Sequence, residues 1–358
     1  MKVLVFPKDN NPYQELLYSN IRNLGCECKY LTSPVYSHSI WLFLILIPQL
    51  IIYRLKGFRI LHLHWLYDFT IPTDIKIFRS WPFNFIIFLH FINFLLITKF
   101  LGYRIVWTIH NLLPHNKVFL NDVLAIKILA SLSKIKIVFS ASTIKEMNKF
   151  GFNTNNIHII PMGYYNNFHG VQINQTSAND TSSIKLLFFG KIERYKGLVE
   201  LLKAFKELKQ ENMYLTIAGE CKNKYLEKEL KKLSSDKVLL DCRYITNKEI
   251  PVLFSKHDIA IFPFTAITNS SSILLAMGYK KPLIYPNLPE LLELPKEVGF
   301  NYVANNVFSL KACLTRVSQT NKETLRKMGD AGFAYVKRIA SWEVIGKKTF
   351  ELYKFLMS

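Results

Sequence analysis

The strongest constraint on the fold of this chain is an alternation. Short apolar runs, each the length of a strand, are separated by stretches with helical spacing. The first series offers strands at Lys2–Phe6, Glu27–Leu31, Ile60–His64, Arg104–Ile109, Lys136–Phe139 and His158–Ile160. The second offers Ile184–Phe189, Tyr214–Ala218, Val238–Asp241, Ile259–Phe262 and Pro282–Tyr285. Strands separated by helices cannot pair as hairpins. They cross over and pair in parallel, with helices on both faces of the sheet. Between Asn167 and Ser183 the chain turns polar, through Gln172-Ile173-Asn174-Gln175-Thr176-Ser177-Ala178-Asn179-Asp180, which reads as a linker. The expected class is therefore α/β: two Rossmann-like domains, 1–166 and 184–340, joined by 167–183 and leaving a cleft between them. In such sheets ligands meet the loops at the carboxyl ends of the strands, so the chemistry is expected there.

A length of 358 residues, 50% of them apolar, is enough to fill two cores. The chain has 46 Lys and Arg against 26 Asp and Glu, a net charge of +20, which favours anionic partners. Residues 1–170 hold 17 basic and 7 acidic side chains and also the most apolar segments. Basic residues beside apolar surface suit an anionic membrane face better than a nucleic-acid groove. Ile40–Tyr53 is short and broken by Pro48 and Gln49, and Trp81–Leu101 contains Asn84, His90 and Asn93 and is soon followed by a strand. Both are expected as surface helices packed on the sheet. Their apolar faces would dip into one leaflet, with Arg54, Lys56, Arg59, Lys76, Arg79 and Lys99 near the headgroups. Cys26, Cys28, Cys221, Cys242 and Cys313 form no CxxC pair and no metal-ligand spacing, so they read as reduced, mostly buried thiols. Met1–Pro7 reads as a first strand, not a secretion signal.

Three loops carry candidate chemistry. In Gly190-Lys191-Ile192-Glu193-Arg194-Tyr195-Lys196-Gly197, a glycine ends a strand, basic side chains fill the loop and a second glycine opens an amphipathic helix. Such a loop is either solvated or a phosphate site at a helix N-terminus. Thr268–Ser272 precedes the apolar helix Ile273 to Met277, and its hydroxyls would form an N-cap or an anion nest. His110 follows the fourth strand, either as a satisfied structural imidazole or as a ligand contact. Gly219-Glu220 is a further strand-ending turn facing the expected cleft. No Asp-x-Asp occurs, so no metal site is expected.

Several segments in order resemble one enzyme group: Asn11-Pro12-Tyr13, His62-Leu63-His64-Trp65, Thr108-Ile109-His110-Asn111-Leu112-Leu113-Pro114-His115, Gly190 to Gly197, Thr268 to Ala276, and a closing helix beginning Ser341-Trp342-Glu343. Together they look like a bacterial GT-B glycosyltransferase similar to glycosyltransferase family 4, of the capsule or exopolysaccharide type. The resemblance implies the GT-B fold, with a last helix (341–358) returning to the N-terminal domain. It places Lys191 and Lys196 at the family's basic pair on the donor diphosphate, with Arg194 between them. It makes His110 the histidine that reaches the donor's sugar or diphosphate, with His64 and His115 behind it. Asp241-Cys242-Arg243-Tyr244-Ile245 matches the segment that holds the nucleobase. Asn269, Ser270, Ser271 and Ser272 match a subgroup's anion loop. The family's usual glutamate pair is missing there, and Leu275 stands where its second member would fall.

The expected activity is transfer of a sugar from a nucleotide-diphosphate-sugar to a membrane-bound saccharide acceptor, polyprenyl-diphosphate-linked. Charge on the leaving diphosphate would be met by cations and helix N-termini instead of a metal. Retention of configuration is implied, and the site of action would be the cytoplasmic face of the membrane. The alternatives are an inverting enzyme with Asp68 or Asp122 as base, a non-catalytic sugar-nucleotide-binding subunit, and a basic nucleic-acid-binding protein. Against the last, the lysines are dispersed and no aromatic-basic recognition motif is present.

Overall fold

The computed structural model describes residues 1–9, 12–31, 41–65, 81–113, 118–165, 183–208, 212–267 and 271–358. The chain divides into two compact units, Met1–Met162 with Trp342–Ser358, and Gly163–Ser341.

In the first unit the strands are β1 (Lys2–Phe6), β2 (Glu27–Tyr30), β3 (Ile60–Leu63), β4 (Arg104–Thr108), β5 (Ile135–Val138) and β6 (Ile157–Ile159). All pairs are parallel, in the order β2-β1-β3-β4-β5-β6. The helices are α1 (Pro12–Asn23), α2 (Trp41–Leu55), α3 (Trp81–Phe100), α4 (Asp122–Leu132) and α5 (Ala141–Lys149). β1, β3, β4 and β5 are nearly continuous buried apolar runs, as a sheet covered on both faces requires. α3 buries Ile87, Phe91, Phe94 and Leu95, a stripe at helical spacing, against Leu61, Trp107 and Phe119 of the same core. Its other side leaves Phe85, Ile86, Leu89, Leu96 and Phe100 exposed. Among the described residues no helix is long and apolar enough to cross a membrane.

The last helix, α12 (Trp342–Met357), belongs to this unit and packs on α1. The two approach so closely that a Cβ on Gly346 would lie 2.8 Å from Cβ of Asn20.

In the second unit the strands are β7 (Ile184–Phe189), β8 (Met213–Ala218), β9 (Val238–Asp241), β10 (Ile259–Ile261), β11 (Leu283–Pro286) and β12 (Gly299–Tyr302). They form a second parallel sheet, ordered β12-β11-β10-β7-β8-β9. The helices are α6 (Leu198–Lys206), α7 (Lys224–Leu233), α8 (Glu249–Ser255), α9 (Ser271–Gly278), α10 (Val307–Ser318) and α11 (Lys322–Ala340). Asn223, Asn306 and Asn321 accept backbone N–H groups at the starts of α7, α10 and α11.

Among the described residues, eleven of the twelve strands lie within a residue of their sequence assignments. The twelfth, β12, was not assigned. Gly299-Phe300-Asn301-Tyr302 has no apolar run and lies at the sheet edge, where pairing with β11 and not burial defines it. Residues 167–182, assigned as linker, lie outside the described residues.

Candidate active site

Each sheet has a position where chain order reverses, and there the loops on either side diverge and leave a crevice at the strand ends. In the second unit this position lies between β7 and β10. The loop after β7 is the one that carries Lys191, Arg194 and Lys196, and the loop after β10 begins Pro263-Phe264-Thr265. The two are fastened together: Thr265 N–H donates to the Tyr195 carbonyl at 2.9 Å. Gly197 has φ +68°, and a Cβ there would lie 1.8 Å from the Pro263 carbonyl oxygen. Gly219, at φ +152°, lies with equal closeness against Gly190, whose carbonyl oxygen would be 1.9 Å from an added Cβ. Glycine is required at both positions by contact with backbone that cannot give way.

Lys196 lies 4.3 Å from the ring centre of Phe264 and 4.9 Å from that of Tyr195. Among the described residues no carboxylate is within ion-pair distance of it. Burial lowers its pKa to about 8, with Glu193 opposing the shift. The result is a cation held by aromatic faces at the switch point, without an ion-pair partner among the described residues.

Lys191 is exposed in the same loop. Arg194 is turned to α7, where it pairs with Glu229 at 2.8 Å. Glu220 accepts the Ile192 N–H through its carbonyl at 2.9 Å, so Gly219-Glu220 braces the basic loop from the end of β8. Ser272, in the first turn of α9, places its hydroxyl 3.0 Å from where a Cβ on Gly190 would stand. The helix start and the strand end thus meet, and Ser271 beside it is exposed. Asn269 and Ser270 lie outside the described residues. Arg243 bridges Asp241 at 3.0 Å and Glu249 at 2.6 Å. Its guanidinium, with Thr246, holds the Glu249 carboxyl down at about 2. Tyr244 next to it is 67% exposed, a free ring at the end of β9.

In the first unit, order reverses between β1 and β3. His62 and His64 on and after β3 are buried there, at 0% and 2% exposure, and half-buried His110 follows β4. His62 Nε2 meets Thr108 Oγ1 at 2.7 Å, and its Nδ1 meets the phenols of Tyr18, at 2.9 Å, and Tyr353. Tyr18 also reaches His64 Nε2 at 2.6 Å, and His64 Nδ1 reaches His110 Nε2 at 3.1 Å. His110 stacks on Trp65 with ring centres 4.1 Å apart and meets the edge of Tyr13 at 4.8 Å. Desolvation pushes His62 and His110 down to about 3 and His64 well below its usual value, so all three are neutral imidazoles. His115 and Asp68 lie outside the described residues. Asp122, the other carboxylate singled out as a base, accepts the N–H groups of Val118 and Phe119 at 3.2 and 2.7 Å. Among the described residues no group of three His, Cys, Asp or Glu is placed to hold a metal ion.

Several residues of these sites had no individual signal in the sequence. Gln14, fully buried, donates to the Pro7 carbonyl at 2.7 Å and accepts from Asp9 N at 2.9 Å, which fixes the β1–α1 loop. Tyr18 and Tyr353 look like ordinary amphipathic-helix residues, and Phe264 like strand-end core. Only the fold brings Tyr353 to His62, 291 residues away.

Comparison with known proteins fixes the class. Residues 172–334 match the family described as Glycosyl transferases group 1. The protein is a glycosyltransferase. No curated protein matches it in sequence. Its fold is similar to that of a glycosyltransferase from Rickettsia africae, at 14% identity and TM-score 0.71, covering 100% of this chain and 98% of that one. Sucrose-phosphate synthase from Thermosynechococcus elongatus is similar at 15% identity and TM-score 0.69, covering 99% and 98%. HepE from Anabaena, solved in complex with UDP and glucose, is similar at 13% identity and TM-score 0.65, covering 99% of each chain. These likenesses establish the GT-B fold of the glycosyltransferase: two parallel six-stranded Rossmann-like sheets and a long closing helix. The matched region contains the whole basic loop of this glycosyltransferase, with Lys196, and the start of α9.

Proposed function

We propose that this glycosyltransferase moves a sugar from a nucleotide-diphosphate-sugar onto a membrane-associated, polyprenyl-diphosphate-linked saccharide in polysaccharide assembly, of the capsule or exopolysaccharide kind. The observation that carries the donor half is Lys196. An ammonium held at the switch point between aromatic rings, without a carboxylate partner among the described residues, is a counter-charge suited to a bound anion. A leaving diphosphate is such an anion, and stabilising charge that develops as it departs is where a preorganised cation acts most strongly. Lys191 adds exposed positive charge in the same loop, and Ser271 and Ser272 add hydroxyls at a helix start. His110 contributes a neutral imidazole contact to the donor. UDP is bound by the structurally similar HepE, which supports testing uridine diphosphate sugars first.

Without a strong protein base at these residues, the oxygens of the leaving diphosphate would take the acceptor hydroxyl's proton on the face from which they leave, with retention of configuration. Asp122 is occupied by two backbone N–H groups, which weighs against it as the base of an inverting reaction. Support for the acceptor half is the exposed apolar surface of α2 and α3 with basic residues beside it, which suits peripheral attachment to the cytoplasmic face of the membrane.

A screen of UDP-, GDP- and dTDP-sugars with lipid-linked acceptors tests the reading. Transfer by the wild type is expected to fall in a folded Lys196→Ala variant by about 2–4 kcal/mol of transition-state stabilisation, roughly 30- to 900-fold in kcat/KM. Wild-type rates in that variant would remove the diphosphate clamp.

A further inference from the structure

Helices of the first unit run back to the amino-terminal edge of its sheet, and two of the turns that follow share a sequence pattern. Arg54-Leu55-Lys56-Gly57-Phe58-Arg59-Ile60 leads from α2 into β3, and Lys99-Phe100-Leu101-Gly102-Tyr103-Arg104-Ile105 leads from α3 into β4. In both, the glycine is left-handed, at φ +87° and +75°, and the aromatic residue after it, Phe58 or Tyr103, is buried. The N–H groups of Phe58 and Tyr103 close the helix ends on the carbonyls of Tyr53 and Thr98 at 3.0 and 3.1 Å. Capping accounts for the glycine and the buried aromatic. It does not account for Leu55 and Phe100, which are 83% and 90% exposed beside basic residues. Leu24-Gly25 after α1 and Phe150-Gly151 after α5 repeat the arrangement, each with an exposed apolar side chain before a left-handed glycine.

These turns adjoin. Arg54 Nε donates to the Leu101 carbonyl at 2.5 Å, Arg104 N–H to the Arg59 carbonyl at 2.8 Å and Lys2 Nζ to the Lys56 carbonyl at 3.0 Å. The steps β1 to β2 and β3 to β4 go opposite ways along the sheet, so right-handed crossovers put α1, with α12 packed on it, on the face opposite α3. From that face α12 ends at the same edge, with Met357 Sδ 4.0 Å from Arg104 and Phe355 exposed. Across 22–27, 54–60, 99–105 and 149–152 there are seven basic residues and one carboxylate, Glu27, which pairs with Lys2 at 3.4 Å. In the second unit, the turns after α7, α8 and α9 expose no large apolar side chain. The pattern therefore belongs to one unit and is not a requirement of the fold.

We propose that this amino-terminal edge is the surface by which the first unit enters an anionic bilayer, with Leu24, Leu55, Phe100, Phe150 and Phe355 among the acyl chains and the basic residues at the lipid phosphates. Apolar tips set among cations, with the lone carboxylate already paired, match a negatively charged leaflet. The inference rests on peripheral membrane attachment and centres it on the strand starts, so that the far ends of α2 and α3 stand clear of the headgroups. His64 and His110, past the other ends of β3 and β4, lie away from this surface.

Flotation of the full-length protein with phosphatidylcholine vesicles, with and without phosphatidylglycerol, tests the assignment. Phe355→Ser combined with Met357→Ser alters α12 alone and is expected to lower binding to the anionic vesicles roughly tenfold. Leu24→Ser with Phe150→Ser reads the same edge from other helices if α12 is disturbed. Lys56→Gln with Arg59→Gln is expected to cost roughly fivefold per charge, and only with phosphatidylglycerol present. Ile86→Ser with Leu89→Ser, exposed near the start of α3, is expected to leave binding unchanged. Loss in that pair, with none in the two edge pairs, moves the contact to the flank and overturns the assignment while membrane attachment stands. No flotation of the wild type removes both. Self-association of the lipid-free protein, abolished by Phe355→Ser, would make a second copy the occupant and overturn the assignment as well.

Discussion

Lys196 shows how a single side chain acquires its chemistry from its surroundings. Burial lowers its pKa from 10.5 to about 8, so the unfolded chain holds this proton more tightly than the folded one. Between those two values, its contribution to stability rises with pH. Binding runs the other way. A diphosphate favours the charged ammonium, so affinity for a nucleoside diphosphate should fall as pH rises through about 8, with proton uptake on binding near that pH. Calorimetric titration in buffers of different ionisation enthalpy measures both, and pH-independent affinity with no proton uptake would contradict it. Gly219 represents the opposite kind of residue, whose importance is the absence of a side chain. Gly219→Ala would drive a Cβ to 1.9 Å from the Gly190 carbonyl oxygen. It is expected to destabilise the second unit by about 2 kcal/mol or more, read as a lower urea midpoint, with donor affinity falling as the basic loop shifts.

At the scale of elements, α2 and α3 are apolar on both faces, and the two faces have different uses. One buries Leu46, Leu50, Phe91 and Phe94 in the core, and the other leaves Ile51, Ile52, Leu55, Ile86, Leu89, Leu96 and Phe100 exposed. Exposed apolar surface of that extent on neighbouring helices calls for a partner, and a lipid leaflet fits the basic residues beside it. Flotation with liposomes should show binding that increases with anionic lipid and is only partly released by salt, since screening weakens attraction between charges but not insertion. Replacing Leu55 and Phe100 with Ser should abolish the salt-resistant part, and equal, negligible binding to neutral and anionic liposomes would leave these helices without a membrane role. Helix α12 illustrates a different economy: its start was visible at Ser341-Trp342-Glu343, yet its task of carrying Tyr353 to His62 was not.

For the whole molecule, the proposed reading assigns neutralisation of the donor diphosphate to cationic side chains, Lys196 above all. Transfer activity is accordingly expected to survive EDTA. Strict dependence on added Mg²⁺ or Mn²⁺, restored after chelation, would argue for a different diphosphate clamp.

The sequence alone determined the parallel α/β layout, almost every strand and the basic loop between Gly190 and Gly197. Each of these is written in local information: apolar runs of strand length, helical spacing, and glycines placed where backbone must turn. Tertiary structure decided the rest. It turned Arg194 to Glu229 and set Lys196 against the rings of Tyr195 and Phe264, with no ion-pair partner among the described residues. It closed Asp122 onto two backbone amides, and it strung Thr108, His62, Tyr18, His64 and His110 into one hydrogen-bonded chain. Whether a charge is paired, or a histidine neutral, depends on which atoms arrive from distant strands and helices and on how much water they exclude. No local pattern of residues encodes that.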